Sequence, residues 1–257
     1  MKVKILFVSL FLSLLLFGQQ ENSQSLIFYN FKFRQDSTNL DKKFDEVMVL
    51  LIGNKQSLYK SYQKLKRDSL IKNNLNKGIY EINFSNLPKT NVFHQILRDY
   101  EKDSIKIYDR IASKDFVFGV EKIKWKLGKE KKTISGFDCQ NAFCNVGGRD
   151  FEAWFTTSLI PNEGPYRFKG LPGLVLEVYD KKSNFEITFM GIKNLTYPIE
   201  LNNLSIKTNK EKFLKSRKEF YADPIGQSQL YFGRVIPEQN RERIKQNVQK
   251  ENIFIEQ

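Results

Sequence analysis

Apolar side chains arrive two residues apart in short runs, and the runs recur about every ten residues. Residues 25–33 alternate Leu26 and Phe28 with Ile27, Tyr29, Phe31 and Phe33. Residues 44–52 (FDEVMVLLI) repeat the pattern and end on the turn pair Gly53-Asn54. A period of two is the signature of a strand, and strands at this spacing point to an antiparallel, hairpin-rich sheet. Further strand candidates lie at 92–97, 105–111 and 116–118, with 57–59 extending the sheet. Residues 122–127 alternate Ile123, Trp125 and Leu127 against three lysines and read as a half-buried strand. Residues 128–132 read as a charged turn, and 133–137 as the start of the next strand. Beyond the turn Gly147-Gly148, the segments 149–156, 174–179 and 185–192 complete the rhythm.

The period lengthens in two places. Residues 63–75 are charged and helix-compatible, and 83–91 read as loop. Thr208-Asn209-Lys210-Glu211 reads as a capping box that opens a helix ended by Asp223-Pro224. Residues 237–249 read as a second helix, with Pro237 in its first position. The expected fold is mainly β, with one or two C-terminal helices. About ten antiparallel strands form a strongly curved sheet or half-barrel, which the 22 phenylalanines would line.

Scarcity excludes much chemistry. With one His and two Cys, a multi-histidine metal site has no ligands, and a Ser-His-Asp or Cys-His hydrolase would rest wholly on His94. His94 itself reads as an exposed strand or loop residue. No Walker or G-x-G-x-x-G pattern is present, and no metal or cofactor is expected. The formal charge of +13 comes mainly from lysine interleaved with acids, as in residues 121–126. It reads as a solvated basic surface, with nucleic acid not an expected partner.

Lys2 and Lys4 precede an apolar run at 5–17, and polar residues follow from Gly18. The run is too short for the roughly 20 residues that span a bilayer, so 1–18 read as a secretory signal peptide and 19–257 as one domain. No Cys lies near the cleavage zone, so a lipoprotein is not expected, and no second long apolar run follows. Export leaves three readings of Cys139 and Cys144 open, a disulfide, two buried thiols, or a redox or metal role. One straight strand would put them on opposite faces, so a bond needs a bend between them.

The most specific stretch is 134–180. It carries Ile134-x-Gly136-Phe137-x-Cys139, Gly148-Arg149, Ala153-Trp154-Phe155-Thr156, Ile160-Pro161, Gly164-Pro165 and Gly170-Leu171-Pro172-Gly173-Leu174-Val175. Here the chain resembles the GLPGLI family of exported Bacteroidetes proteins, with Val175 in the last motif position. Asn141 stands where that family often has Lys, and Cys144 lies outside its pattern. The resemblance implies an exported β-rich domain without implying a reaction.

Leu171-Pro172-Gly173-Leu174 suits a type II turn. The stiff loop that results either plugs one end of the core with Tyr166, Phe168 and Leu171, or carries a ligand or partner site. The binding residues in the second reading are Arg149, Trp154, Gly164, Pro165, Tyr166, Phe168, Gly170, Leu171, Pro172 and Gly173. Arg149 is expected to pair with a carboxylate such as Glu177, or to hold an anionic ligand. The functional expectation is a non-catalytic envelope module, periplasmic or at the outer face. It would bind an apolar ligand or extended peptide in the cup of its sheet. The alternative is an assembly partner of an outer-membrane protein, and an enzyme of unrecognised type is the third reading.

Overall fold

The computed structural model describes residues 21–201, 204–233 and 235–256. Residues 1–18, where a signal peptide is expected, lie outside the described residues. Twelve strands form one open sheet: β1 Ser25–Phe33, β2 Phe44–Ile52, β3 Gln56–Ser61, β4 Gln95–Asp99, β5 Ser104–Ile111, β6 Lys114–Val120, β7 Lys126–Ile134, β8 Phe137–Val146, β9 Arg149–Thr156, β10 Leu174–Asp180, β11 Phe185–Lys193 and β12 Ile206–Lys207. Helix α1 spans Tyr62–Asn76, and three helices follow the sheet, α2 Lys210–Ala222, α3 Pro224–Phe232 and α4 Glu238–Gln249. The strand order is β12-β6-β5-β4-β3-β2-β1-β11-β10-β9-β8-β7. All pairings are antiparallel except β12 with β6.

The alternation in β1 and β2 sorts their side chains onto two cores. Ile27, Tyr29, Phe31, Met48 and Leu50 enter the main core on the concave side. Leu26, Val49 and Leu51 face the opposite way, where Leu58, Leu65 and Ile199 cover them. Helix α1 supplies Leu65, and Ser61 caps it by accepting from the Lys64 amide at 3.2 Å. The apolar residues on both faces of β1 and β2 therefore mark strands covered on both sides.

Several expectations are corrected. Residues 122–125 are not strand, and β7 runs straight through the expected charged turn at 128–132. β7 is an edge strand, so Lys126, Lys129 and Lys131 are exposed and their charge does not disfavour pairing. Its pairing with β8 shifts register between Leu127 and Lys131. Buried Asn141 fills the irregularity, accepting from the Glu130 amide at 3.1 Å and donating to Glu152 at 3.1 Å. Residues 135–136 form the β7–β8 turn, so the next strand starts at Phe137 and not at 133.

Helix α2 is capped by Asn209, one residue later than expected, through the Lys212 amide at 2.8 Å. Asp223 then caps a third C-terminal helix, α3, with Pro224 in its first turn, and Pro237 precedes α4. Cys139 and Cys144 are free thiols within one continuous strand, β8. Five residues of strand separate them by roughly 16 Å, and no bend brings them together, so the disulfide reading fails.

Candidate functional site

The loop between β9 and β10 is folded into the cup. Residues 163–169 are all buried, although this run contains Glu163, Arg167 and Lys169. Phe168 packs on Phe151 at 4.8 Å between ring centroids and on Tyr166 at 5.9 Å. Tyr166, Phe168 and Leu171 thus plug the concave core. The motif turn is tighter than type II, because the Gly173 amide bonds to the Leu171 carbonyl at 2.8 Å, across Pro172 alone.

Each buried charge of the loop has a partner. The Glu163 carboxylate lies between Lys169 and Arg98, with Arg98 Nη1 at 3.1 Å, and Lys169 also donates to Ser57 at 3.1 Å. Burial pulls the Lys169 ammonium below the usual lysine range, and Glu163 pushes it back. Arg167 pairs with Glu256 at 2.7 Å and donates to the Glu121 carbonyl.

The expected ligand residues separate. Arg149 pairs with buried Asp180 at 2.8 Å, not with Glu177, which takes Lys132 at 2.5 Å. Trp154 is buried, donates from Nε1 to the Tyr179 hydroxyl at 2.8 Å, and carries the Lys132 ammonium over its ring. Gly164, Pro165, Phe168, Leu171 and Gly173 are buried in the loop, while Gly170 and Pro172 face solvent. Of the ten, Tyr166 alone reaches the cavity described next.

A cavity of about 180 Å³ remains where the loop meets β1, β5, α2 and the segment 251–256. Tyr166 walls one side, with φ at +52°, an uncommon backbone conformation for a tyrosine. His94 stands beside it, ring centroids 5.1 Å apart, and also stacks on Tyr59 and packs on Phe31. His94 is therefore half-buried in an aromatic nest, not exposed as expected, and its Nε2 is buried without a partner. Asp109, Arg217 and Glu256 line the cavity together with Gln35, Asn91, Arg110 and Glu251. The sequence pointed to this site only through Tyr166 of the motif loop and the apolar residues around His94. Asp109, Arg217 and Glu256 gave no sign of it, because each reads as an ordinary surface charge.

The two central groups are shifted by burial in opposite senses. The His94 imidazole is pushed from 6.5 down to about 4, and the Asp109 carboxyl from 3.8 up to about 6. The unfolded chain protonates His94 near pH 6.5 and the folded chain only near 4, so this group costs stability as pH falls through that window. Asp109 acts oppositely, favouring the fold at low pH and losing that contribution as pH rises from about 4 to 6. His94→Phe keeps the ring packing and leaves Asp109 alone. Urea unfolding should show this variant gaining on the parent by on the order of 2 kcal/mol between pH 7.5 and 4.5. A gain independent of pH would contradict the neutral, buried imidazole.

His94 packs on the rings of Phe31, Tyr59 and Tyr166, and its Nε2 bonds to neither tyrosine hydroxyl. Both thiols lie in β8, and burial pushes Cys144 up to about 12. Among the described residues no group of three His, Cys, Asp or Glu is placed to hold a metal ion.

A family model described as the N-glycanase peptide, N-terminal domain, matches residues 53–216. The chain belongs to this family. The matched region carries β3 to β12, His94, Asp109 and Tyr166, and stops one residue before Arg217. Two solved structures titled as PNGF-II are similar. One, in the C2 space group, shares 14% identity at a TM-score of 0.47, covering 77% of this chain and 32% of that one. The other, in P21, shares 12% identity at 0.48, covering 76% and 32%. The chain thus spans about a third of the length of these structures. No curated protein matches its sequence.

Proposed function

We propose that the chain is a non-catalytic binding module of an exported envelope protein of the GLPGLI type, and that its ligand occupies the His94 cavity. The observation that carries this reading is the cavity itself, ring-walled and lined by polar groups, with its one imidazole packed against rings. The motif segment at 170–175 and the apolar run at 5–17 support export. A family described as an N-terminal domain is in keeping with a module rather than a complete catalyst.

The ligand is small. The cup that would have held a large apolar cargo or an extended peptide is filled by Phe168, Leu171, Phe213, Ile253 and Ile255. A fragment screen read by the NMR signal of the single histidine tests the proposal. Compounds should shift His94 saturably and be recovered unchanged, and Asn91→Trp, at the exposed cavity mouth, should block them. Absence of any saturable shift, indifference to Asn91→Trp, or turnover of a bound compound would overturn it.

A further inference from the structure

We propose that the His94 cavity selects a small organic cation, a protonated amine on an apolar body about the size of one ring. This rests on the binding reading above and adds the ligand's chemical class. Size comes first. A cavity of roughly 150 Å³ accepts a benzene ring, and this one is about 180 Å³.

Charge comes second, through a count of which groups are already engaged. Arg110 is held as a fork on Asp115, at 2.7 and 3.2 Å, and lies over the Phe93 ring. Arg217 lies flat on Phe254, 4.2 Å from the ring centroid, and donates to the Glu256 carbonyl. Lys210 and Arg167 both engage the Glu256 carboxylate, at 2.5 and 2.7 Å. Each nearby guanidinium and ammonium is thus already tied to an acceptor, Arg217 the least firmly, through one hydrogen bond and the ring of Phe254.

The carboxylates at the cavity keep acceptor positions open. Asp109 receives one hydrogen bond, from the Arg110 amide at 2.8 Å, and Arg217 Nη1 stands 3.9 Å away, beyond hydrogen-bond reach. Glu251, at the exposed rim, accepts from the Tyr221 hydroxyl at 3.2 Å. A carboxylate offers about four acceptor positions, so both have capacity left. Burial raises the carboxyl pKa of Asp109, and Arg217 and Arg110 offset only part of the rise. Tyr166 adds a ring whose negative face suits a cation, beside Phe31 and Phe33, which stack on each other at 4.7 Å. His94 is held neutral by burial, so it does not compete for the carboxylates as a cation.

The test uses the full chain labelled at histidine, titrated with benzylammonium, benzyl alcohol and benzoate, which share a ring and differ in charge. Benzylammonium should shift the His94 signal saturably. Benzyl alcohol should bind roughly tenfold more weakly, and benzoate should leave the signal unmoved. Asp109→Asn should weaken benzylammonium roughly tenfold without changing the affinity for benzyl alcohol, and Glu251→Gln should act in the same direction. Benzyl alcohol or benzoate binding as tightly as benzylammonium would overturn the amine class and leave a binding pocket standing. So would unchanged benzylammonium affinity in both variants. Silence of the His94 signal to all three probes would overturn both readings.

Discussion

Lys169→Met should cost about 3–5 kcal/mol of unfolding free energy, the usual penalty for removing one member of a buried ion pair. Glu163 is fully buried, and Lys169 is its closest cation. Without the ammonium, the carboxylate keeps only Arg98, which is partly exposed and also committed to the Asn162 carbonyl at 2.9 Å. The double variant Glu163→Leu/Lys169→Met should recover most of the loss, since a pair replaced by apolar groups leaves no orphaned charge. Denaturant unfolding of both singles and the double closes the cycle. A Lys169→Met cost below about 1 kcal/mol would mean that the pair behaves like a surface salt bridge and that the loop is held by its rings alone.

Gly173→Ala should be as damaging, at about 4 kcal/mol or more. Gly173 has φ at +135°, and a β-carbon there would sit 1.9 Å from the Thr156 carbonyl oxygen at the end of β9. Neither strand can move, because β9 and β10 are paired along their length. Gly170, in the same motif, separates the two causes. It has φ at +93° but open space around it, so Gly170→Ala should lose only the backbone term, about 1–2 kcal/mol. Thermal unfolding of the two variants should therefore differ clearly, and equal losses would show that the close approach to Thr156 does not matter.

These variants also show what the sequence could and could not convey. The central strands were legible because both their faces are buried, which imposes period-two apolar runs on residues 25–33 and 44–52. Edge strand β7 was not, because an edge tolerates lysines that look like a turn when read along the chain. Helix α3 was hidden by Pro224, which ends one helix and starts the next. The motif loop was located, with its aromatic residues read either as plugs of the core or as a ligand site, but nothing in the local pattern marked Glu163, Arg167 and Lys169 as buried. Burial of a charge depends on a partner distant in sequence, here Ser57, Arg98 or Glu256, and no local pattern announces it. The cavity was illegible for the same reason, being assembled from residues near 31, 94, 109, 166, 217 and 254.

The strand order has one further consequence. On one side of the sheet, β1 to β6 follow one another in sequence; on the other, β7 to β11 do the same. The seam between β1 and β11 is the main place where the two runs meet along their edges, with β12 returning to β6. Each half can therefore form from contacts near in sequence, which keeps the search short, and the long-range step is the zipping of a single pair of strands. Residues 121–125, the non-strand link between the halves, are then a natural point of division. Two polypeptides separated there already carry complementary recognition surfaces: the β1 edge with Arg98 and Ser57 on one, and the β11 edge with Glu163 and Lys169 on the other.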